Sequence, residues 1–154
     1  MPDWLTHTLV GWITGKTTKM DIGLVVIGSL IPDLVKITLA FIWLGIDHHH
    51  IFDPIHTPVG AFLIAGIGAL FFKDAKKAFI ALGIGITTHF ILDFFLVHVS
   101  GRMKLLFPFS WGEWQYYLIQ SDDYWMTIIA VTVAILVYLL HHFHDRRKKL
   151  NLNI

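Results

Sequence analysis

Residues Ala78-Phe79-Ile80-Ala81-Leu82-Gly83-Ile84-Gly85-Ile86-Thr87-Thr88-His89-Phe90-Ile91-Leu92-Asp93-Phe94-Phe95-Leu96-Val97-His98-Val99 form one long apolar run with three ionisable side chains inside it, His89, Asp93 and His98. A helix of about 20 such residues covers the roughly 30 Å of a bilayer's hydrocarbon core. His89 and Asp93 stand four residues apart, which puts both on one helical face about a turn apart. Ionisable groups at that depth are costly and face a cavity, a partner or an ion. His-x-x-x-Asp alone is satisfied equally well by a hydrogen bond between the two side chains. What the other segments bring therefore decides the reading.

Those segments are also apolar. The chain has 154 residues, 55% hydrophobic and 15% charged, with a mean hydropathy of +0.64, above the apolar share of an ordinary soluble domain. Further apolar runs cover residues 22–46, broken by Pro32-Asp33 and Lys36, residues 58–72, rich in Gly and Ala, and residues 125–140. The expectation is an all-α integral membrane bundle of about four transmembrane helices, filling one domain from residue 1 to 154. Residues 4–13 are too short to span and predict a short amphipathic or re-entrant helix. Residues 105–117, dense in aromatics, predict a segment lying in the interface.

A net charge of +1 gives no field for nucleic acid. The absence of Cys excludes disulfides and thiolate ligands. Met1-Pro2-Asp3-Trp4 lacks the basic n-region and cleavage site of a signal peptide. With four spans, Lys16, Lys19, Lys73, Lys76, Lys77, Arg146, Arg147, Lys148 and Lys149 share one side, against Arg102 and Lys104 on the other. That asymmetry predicts a multi-pass protein of the cell (inner) membrane with both termini in the cytoplasm.

Asp33 and Lys36 are the ionisable residues of the first run; His56 stands where the second begins, and His7 lies in the opening segment. Each has an ordinary explanation alone: Lys36 can neutralise Asp33, and loop histidines are usually solvated. Together His7, Asp33, His56, His89 and Asp93 offer imidazole and carboxylate donors from four segments, a set suited to zinc and less well to manganese or iron. His98 is turned about 140° from Asp93 on a helix, a poor further ligand. His48, His49, His50, His141, His142 and His144 read as interfacial or solvated.

Across Thr6-His7-Thr8, Gly28-Ser29-Leu30-Ile31-Pro32-Asp33-Leu34, His56-Thr57-Pro58, His89-Phe90-Ile91-Leu92-Asp93 and Leu106-Phe107-Pro108-Phe109-Ser110, the chain resembles the YdjM-like family of small inner-membrane proteins described as metal-dependent hydrolases. That family is remotely similar to the zinc-dependent phospholipase C and nuclease superfamily, all-helical phosphodiesterases that bind up to three zinc ions. The resemblance implies a main zinc site of Asp33, His56, His89 and Asp93, and a second ion served by His7 and a shared Asp93.

A zinc-loaded site of this kind predicts hydrolysis of an ester or phosphoester in a lipid or lipid-linked substrate. Asp33 or Asp93 would also receive the proton of the attacking water, and Lys36 would hold a phosphate or balance charge. Two other classes fit the same residues: a metal-ion or proton carrier, and a non-catalytic membrane assembly protein with a satisfied polar network. An oligomer is compatible with all three.

Overall fold

The computed structural model describes residues 4–37, 43–44, 53–95, 103–114, 116, 118 and 124–151. Among them every regular element is helical: α1 (Trp4–Thr18), α2 (Ile22–Leu30), a 3₁₀ helix (Pro32–Ile37), a second 3₁₀ helix (Asp53–His56), α3 (Pro58–Ala69), α4 (Ala75–Phe94) and α5 (Trp125–Asn151). One isolated antiparallel bridge pairs Met103 with Trp114. The all-α expectation holds.

Local chemistry sets the boundaries. Lys19, at φ 57°, closes α1 while the Met20 N–H reaches back to the Gly15 carbonyl at 3.2 Å, a helix-terminating arrangement. Asp21 then caps α2, accepting from the Leu24 N–H at 3.1 Å. Pro32, with no N–H to continue the ladder, stands two residues past Leu30, where α2 ends. Thr57 caps α3, with Pro58 at its first position. Asp74 caps α4 and accepts from the Lys77 ammonium at 2.9 Å, which holds the Asp74 carboxyl below its ordinary range.

α4 is the central element, packed by α2 and α3, with α1 lying on α2 and α5 on α1. Ala61, Ala65 and Ala69 of α3 form one buried core with Ala78, Leu82, Ile86 and Phe90 of α4. The contact of α2 with α4 is closer still. A Cβ added to Gly28 would fall 2.1 Å from the Leu82 carbonyl oxygen, and one added to Gly85 would fall 2.1 Å from that of Val25. Glycine at both positions lets the two backbones touch.

Several elements differ from expectation. Residues 22–37 form a nine-residue helix and a 3₁₀ turn instead of the first part of one span; residues 38–42 and 45–46 lie outside the described residues. α1 runs five residues past residue 13, because the Thr17 and Thr18 hydroxyls bond the carbonyls of Ile13 and Thr14 and Gly15 packs against the Ile22 backbone. α3, at 12 residues, is only about 18 Å long. α5 extends through the basic tail. Among the described residues two helices, α4 and α5, are long and apolar enough to cross a membrane. The aromatic stretch is irregular, with Phe109, Trp111, Trp114 and Tyr116 exposed; Gln115 and Tyr117 lie outside the described residues.

The order of elements sorts the charges. The α1–α2 turn and the α3–α4 turn meet around a cavity lined by Lys19, Asp21, Lys73, Asp74 and Lys77. The opposite end gathers the start of α1, the end of α2, the start of α3 and the end of α4. There Thr6 of α1 hydrogen-bonds Thr127 of α5 at 2.8 Å, so α5 begins at this end and carries Arg146, Arg147 and Lys148 away from it. Trp4 and Lys148 thus lie at opposite ends of the bundle, which does not support both termini on one face of a membrane.

Gly85→Ala is expected to destabilise the protein by about 1–3 kcal/mol, the usual cost of forcing atoms into a filled contact, and to lower the thermal midpoint in detergent. An unchanged midpoint would contradict the backbone contact of α2 with α4.

Candidate metal centre

His89 lies in the penultimate turn of α4 and has no exposed surface. Its Nδ1 is 2.8 Å from the Ser29 carbonyl oxygen. A carbonyl only accepts, so Nδ1 carries the hydrogen, and in the neutral ring Nε2 presents its lone pair. A hydrogen bond of this kind, from the far ring nitrogen to a carbonyl, orients metal-ligating histidines. The Gly28–Gly85 contact brings the Ser29 carbonyl within reach. The one hydrogen of the Ser29 hydroxyl is shared between the His7 carbonyl at 3.0 Å and that of Val26 at 2.8 Å, tying α2 to α1.

The lone pair of His89 points at a carboxylate. Asp93, one turn later and also without exposed surface, places Oδ2 at 3.2 Å from His89 Nε2. His56, from the 3₁₀ helix ahead of α3, brings its Nε2 to 3.1 Å from the same oxygen and 3.3 Å from His89 Nε2. Zinc bonds of 2.0–2.1 Å at tetrahedral angles hold ligand atoms roughly 3.3 Å apart. The three atoms therefore already stand as one face of a tetrahedral site. Two acceptors at 3.2 Å, buried from water, need a cation or a proton between them.

Asp93 Oδ1 faces the other way, 3.3 Å from His7 Nε2. The His7 ring stacks on that of His89, centroids 3.9 Å apart. Asp33 follows Pro32 directly and is 2% exposed. His7, Asp33 and His89 each offer one donor atom within 4.8 Å of the others. His7 Nδ1 and Asp33 Oδ1 are buried with no hydrogen-bond partner among the described residues. Lys36 Nζ lies 2.6 Å from Asp33 Oδ2. The arrangement is two overlapping donor groups that could hold a metal ion, His56–His89–Asp93 and His7–Asp33–His89.

All five residues nominated as ligands from the sequence thus converge, although their grouping differs from the one the resemblance implies. Asp33 joins His7 and His89, not His56, because Pro32 turns the chain into a 3₁₀ helix as α2 ends. Lys36 balances the Asp33 charge. His48, His49, His50 and His98 lie outside the described residues, and His141, His142 and His144 sit on α5 far along from Thr127, His142 and His144 being exposed. Sequence reasoning missed two contributors. Ser29 acts through its backbone carbonyl, which leaves no side-chain signature beyond the small-residue pairing of Gly28 with Gly85. Phe90 packs edge-on against His56 and His89, at 5.8 and 5.6 Å between centroids, and in sequence it is indistinguishable from core.

Comparison of the chain with family models, curated proteins and solved structures finds no match.

Purified protein is expected to carry a stoichiometric transition metal, and Asp93→Asn to weaken its binding by at least about 100-fold, beyond the loss of an outer-shell partner. Elemental analysis after dialysis checks this. Metal-free protein whose stability is unchanged by His89→Ala would mean a satisfied polar network instead.

Proposed function

We propose that this chain is a membrane-embedded, zinc-dependent hydrolase acting on an ester or phosphoester of a lipid or lipid-linked substrate. The observation that carries the reading is the His56–His89–Asp93 triangle, ligand-spaced, with His89 and Asp93 fully buried and His56 partly so, one side chain away from an apolar groove. That groove, of about 460 Å³, is lined by residues including Phe62, Phe90, Ile91, Phe94 and Leu105. Phe90 is shared, since its ring also packs on His56 and His89. A hydrocarbon chain in the groove would bring its headgroup bond towards the donors. The order of motifs shared with the YdjM-like family supports the same reading.

Membrane embedding is supported by the surface of α5, where Ile128, Ile129, Ile135, Leu136, Leu140 and Phe143 are all more than half exposed. Leu63, Ile67, Leu70 and Phe71 continue the pattern on and just after α3. Water does not tolerate so large a continuous apolar surface on a monomer. In this proposal α4 and α5 cross the bilayer with α2 and α3 embedded beside α4, the basic end with the C-terminal tail faces the cytoplasm, and the metal end faces away from it.

Two nitrogen donors and a carboxylate suit zinc, whose catalytic sites use three protein ligands and an open position. When bound, such an ion supplies Lewis acidity and lowers the pKa of a water into the neutral range. The chain's own residues do the rest. Ser29 fixes the His89 tautomer, and His7 steadies Asp93 from its other oxygen. Asp33 Oδ1 is our candidate to receive the proton of the attacking water, and Phe90 with the groove excludes bulk water from the reacting bond.

Turnover of a panel of phospholipids and polyprenyl phosphates by purified protein tests the proposal. Hydrolysis abolished by chelator, restored by zinc and lowered at least about 10³-fold by Asp93→Ala is expected, given that the residue holds the Lewis acid. Metal flux into liposomes without turnover would identify a carrier instead. A reporter active on only one side of the membrane, fused to the C-terminus, should report the cytoplasm; activity outside would reverse the orientation.

A further inference from the structure

Lys36 makes the closest charged contact in the molecule's polar centre. Its ammonium lies 2.6 Å from Asp33 Oδ2, one 3₁₀ turn away, and 5.9 Å from the centroid of the Trp4 ring. Asp33 is almost wholly buried and Lys36 half-buried. An ammonium held by a carboxylate and an aromatic face, partly out of water, is firmly seated.

The contact falls in the second donor group. His7 and Asp33 each offer one donor atom within 4.8 Å of the other, and Asp93 Oδ1, outside that group, lies 3.3 Å from His7 Nε2, so a second ion seated on His7 would have three protein donors near it, as many as a catalytic zinc site uses. Donor count alone would therefore allow two ions, bridged by Asp93. Charge opposes it. Among the described residues the centre has two buried carboxylates, Asp33 and Asp93. One dication and the Lys36 ammonium already exceed them by a single positive charge, and a second dication would raise the excess to three. With His7, His89 and Asp93 out of water, that excess is only weakly screened.

We propose that the Lys36 ammonium is a tethered cation standing in for a second metal ion, so that the centre holds one ion, on His56, His89 and Asp93. This rests on the metal-centre reading above and goes beyond it by fixing the stoichiometry. His7 is then a positioning residue that orients Asp93, not a ligand. Lys36 gives the second half-site a permanent charge that chelators cannot remove.

The test compares wild type with Lys36→Met, which keeps the apolar stem and removes the charge, and Lys36→Arg, which keeps the charge. Each is purified intact, saturated with zinc, freed of excess and assayed for metal per chain, then reloaded with manganese for electron paramagnetic resonance. Wild type and Lys36→Arg should bind one ion and give an isolated six-line manganese signal. Lys36→Met should bind two and give an exchange-coupled signal. Two ions in wild type, or one in Lys36→Met, would overturn the inference while leaving the metal centre intact. No ion in any of the three would fail the metal centre itself and the inference with it. If Lys36→Met does not fold, Lys36→Gln takes its place with the same expectation.

Discussion

A carboxylate with no exposed surface, ringed by three imidazoles, sets the terms for everything around it. Asp93 faces His7 with one oxygen and His56 and His89 with the other, all at 3.1–3.3 Å. Left ionised and uncompensated in such a place, it would cost several kcal/mol. Its neighbours are neutral bases unless protonated, and His89 has already committed its one hydrogen to a backbone carbonyl. A cation at the centre removes the conflict: it gives the lone pairs of two imidazoles and a carboxylate oxygen a common acceptor. The scaffold then reads as what such a cluster requires, a set of helices whose ends meet at one place.

That convergence depends on backbone proximity more than on side-chain packing. Gly28 and Gly85 let α2 and α4 approach until a methyl group would collide with a carbonyl, and the approach delivers the Ser29 carbonyl to His89. Pro32 stops α2 where Asp33 can turn inward, and Thr57 starts α3 just after His56. Helix lengths then place the lysines of the α1–α2 and α3–α4 turns at the far end, so the polar centre and the basic end are separated by the length of the bundle. Lys36 does not follow them, held at the centre by Asp33.

Much of this was legible in the sequence because buried charge is rare and periodicity is strict. The four-residue spacing of His89 and Asp93, the Pro-Asp break and the histidine before Thr57-Pro58 each marked a side chain that apolar surroundings do not explain. The all-α class followed from long apolar runs without strand alternation. Other features were hidden for physical reasons. A backbone carbonyl such as that of Ser29 is the same in every residue, so its role has no compositional trace. The grouping of Asp33 with His7 and His89 depends on how a 3₁₀ turn follows a helix, a local geometry that many sequences share. Helix ends shifted where tertiary contact overrode propensity, as at Gly15, which packs against the Ile22 backbone. The start of α1 at the metal end, away from the basic tail, could not be read from counting lysines and arginines.

X-ray absorption at the zinc edge on purified, zinc-replete protein tests the central claim most directly, because it reports the atoms around the ion and not merely its presence. The account predicts one shell of nitrogen and oxygen at roughly 2.0–2.1 Å, with the multiple scattering of two imidazoles, and loss of that signature in His89→Gln. A shell unchanged in His89→Gln and instead lost when His141, His142 and His144 are removed would place the metal on the exposed tail and contradict the account.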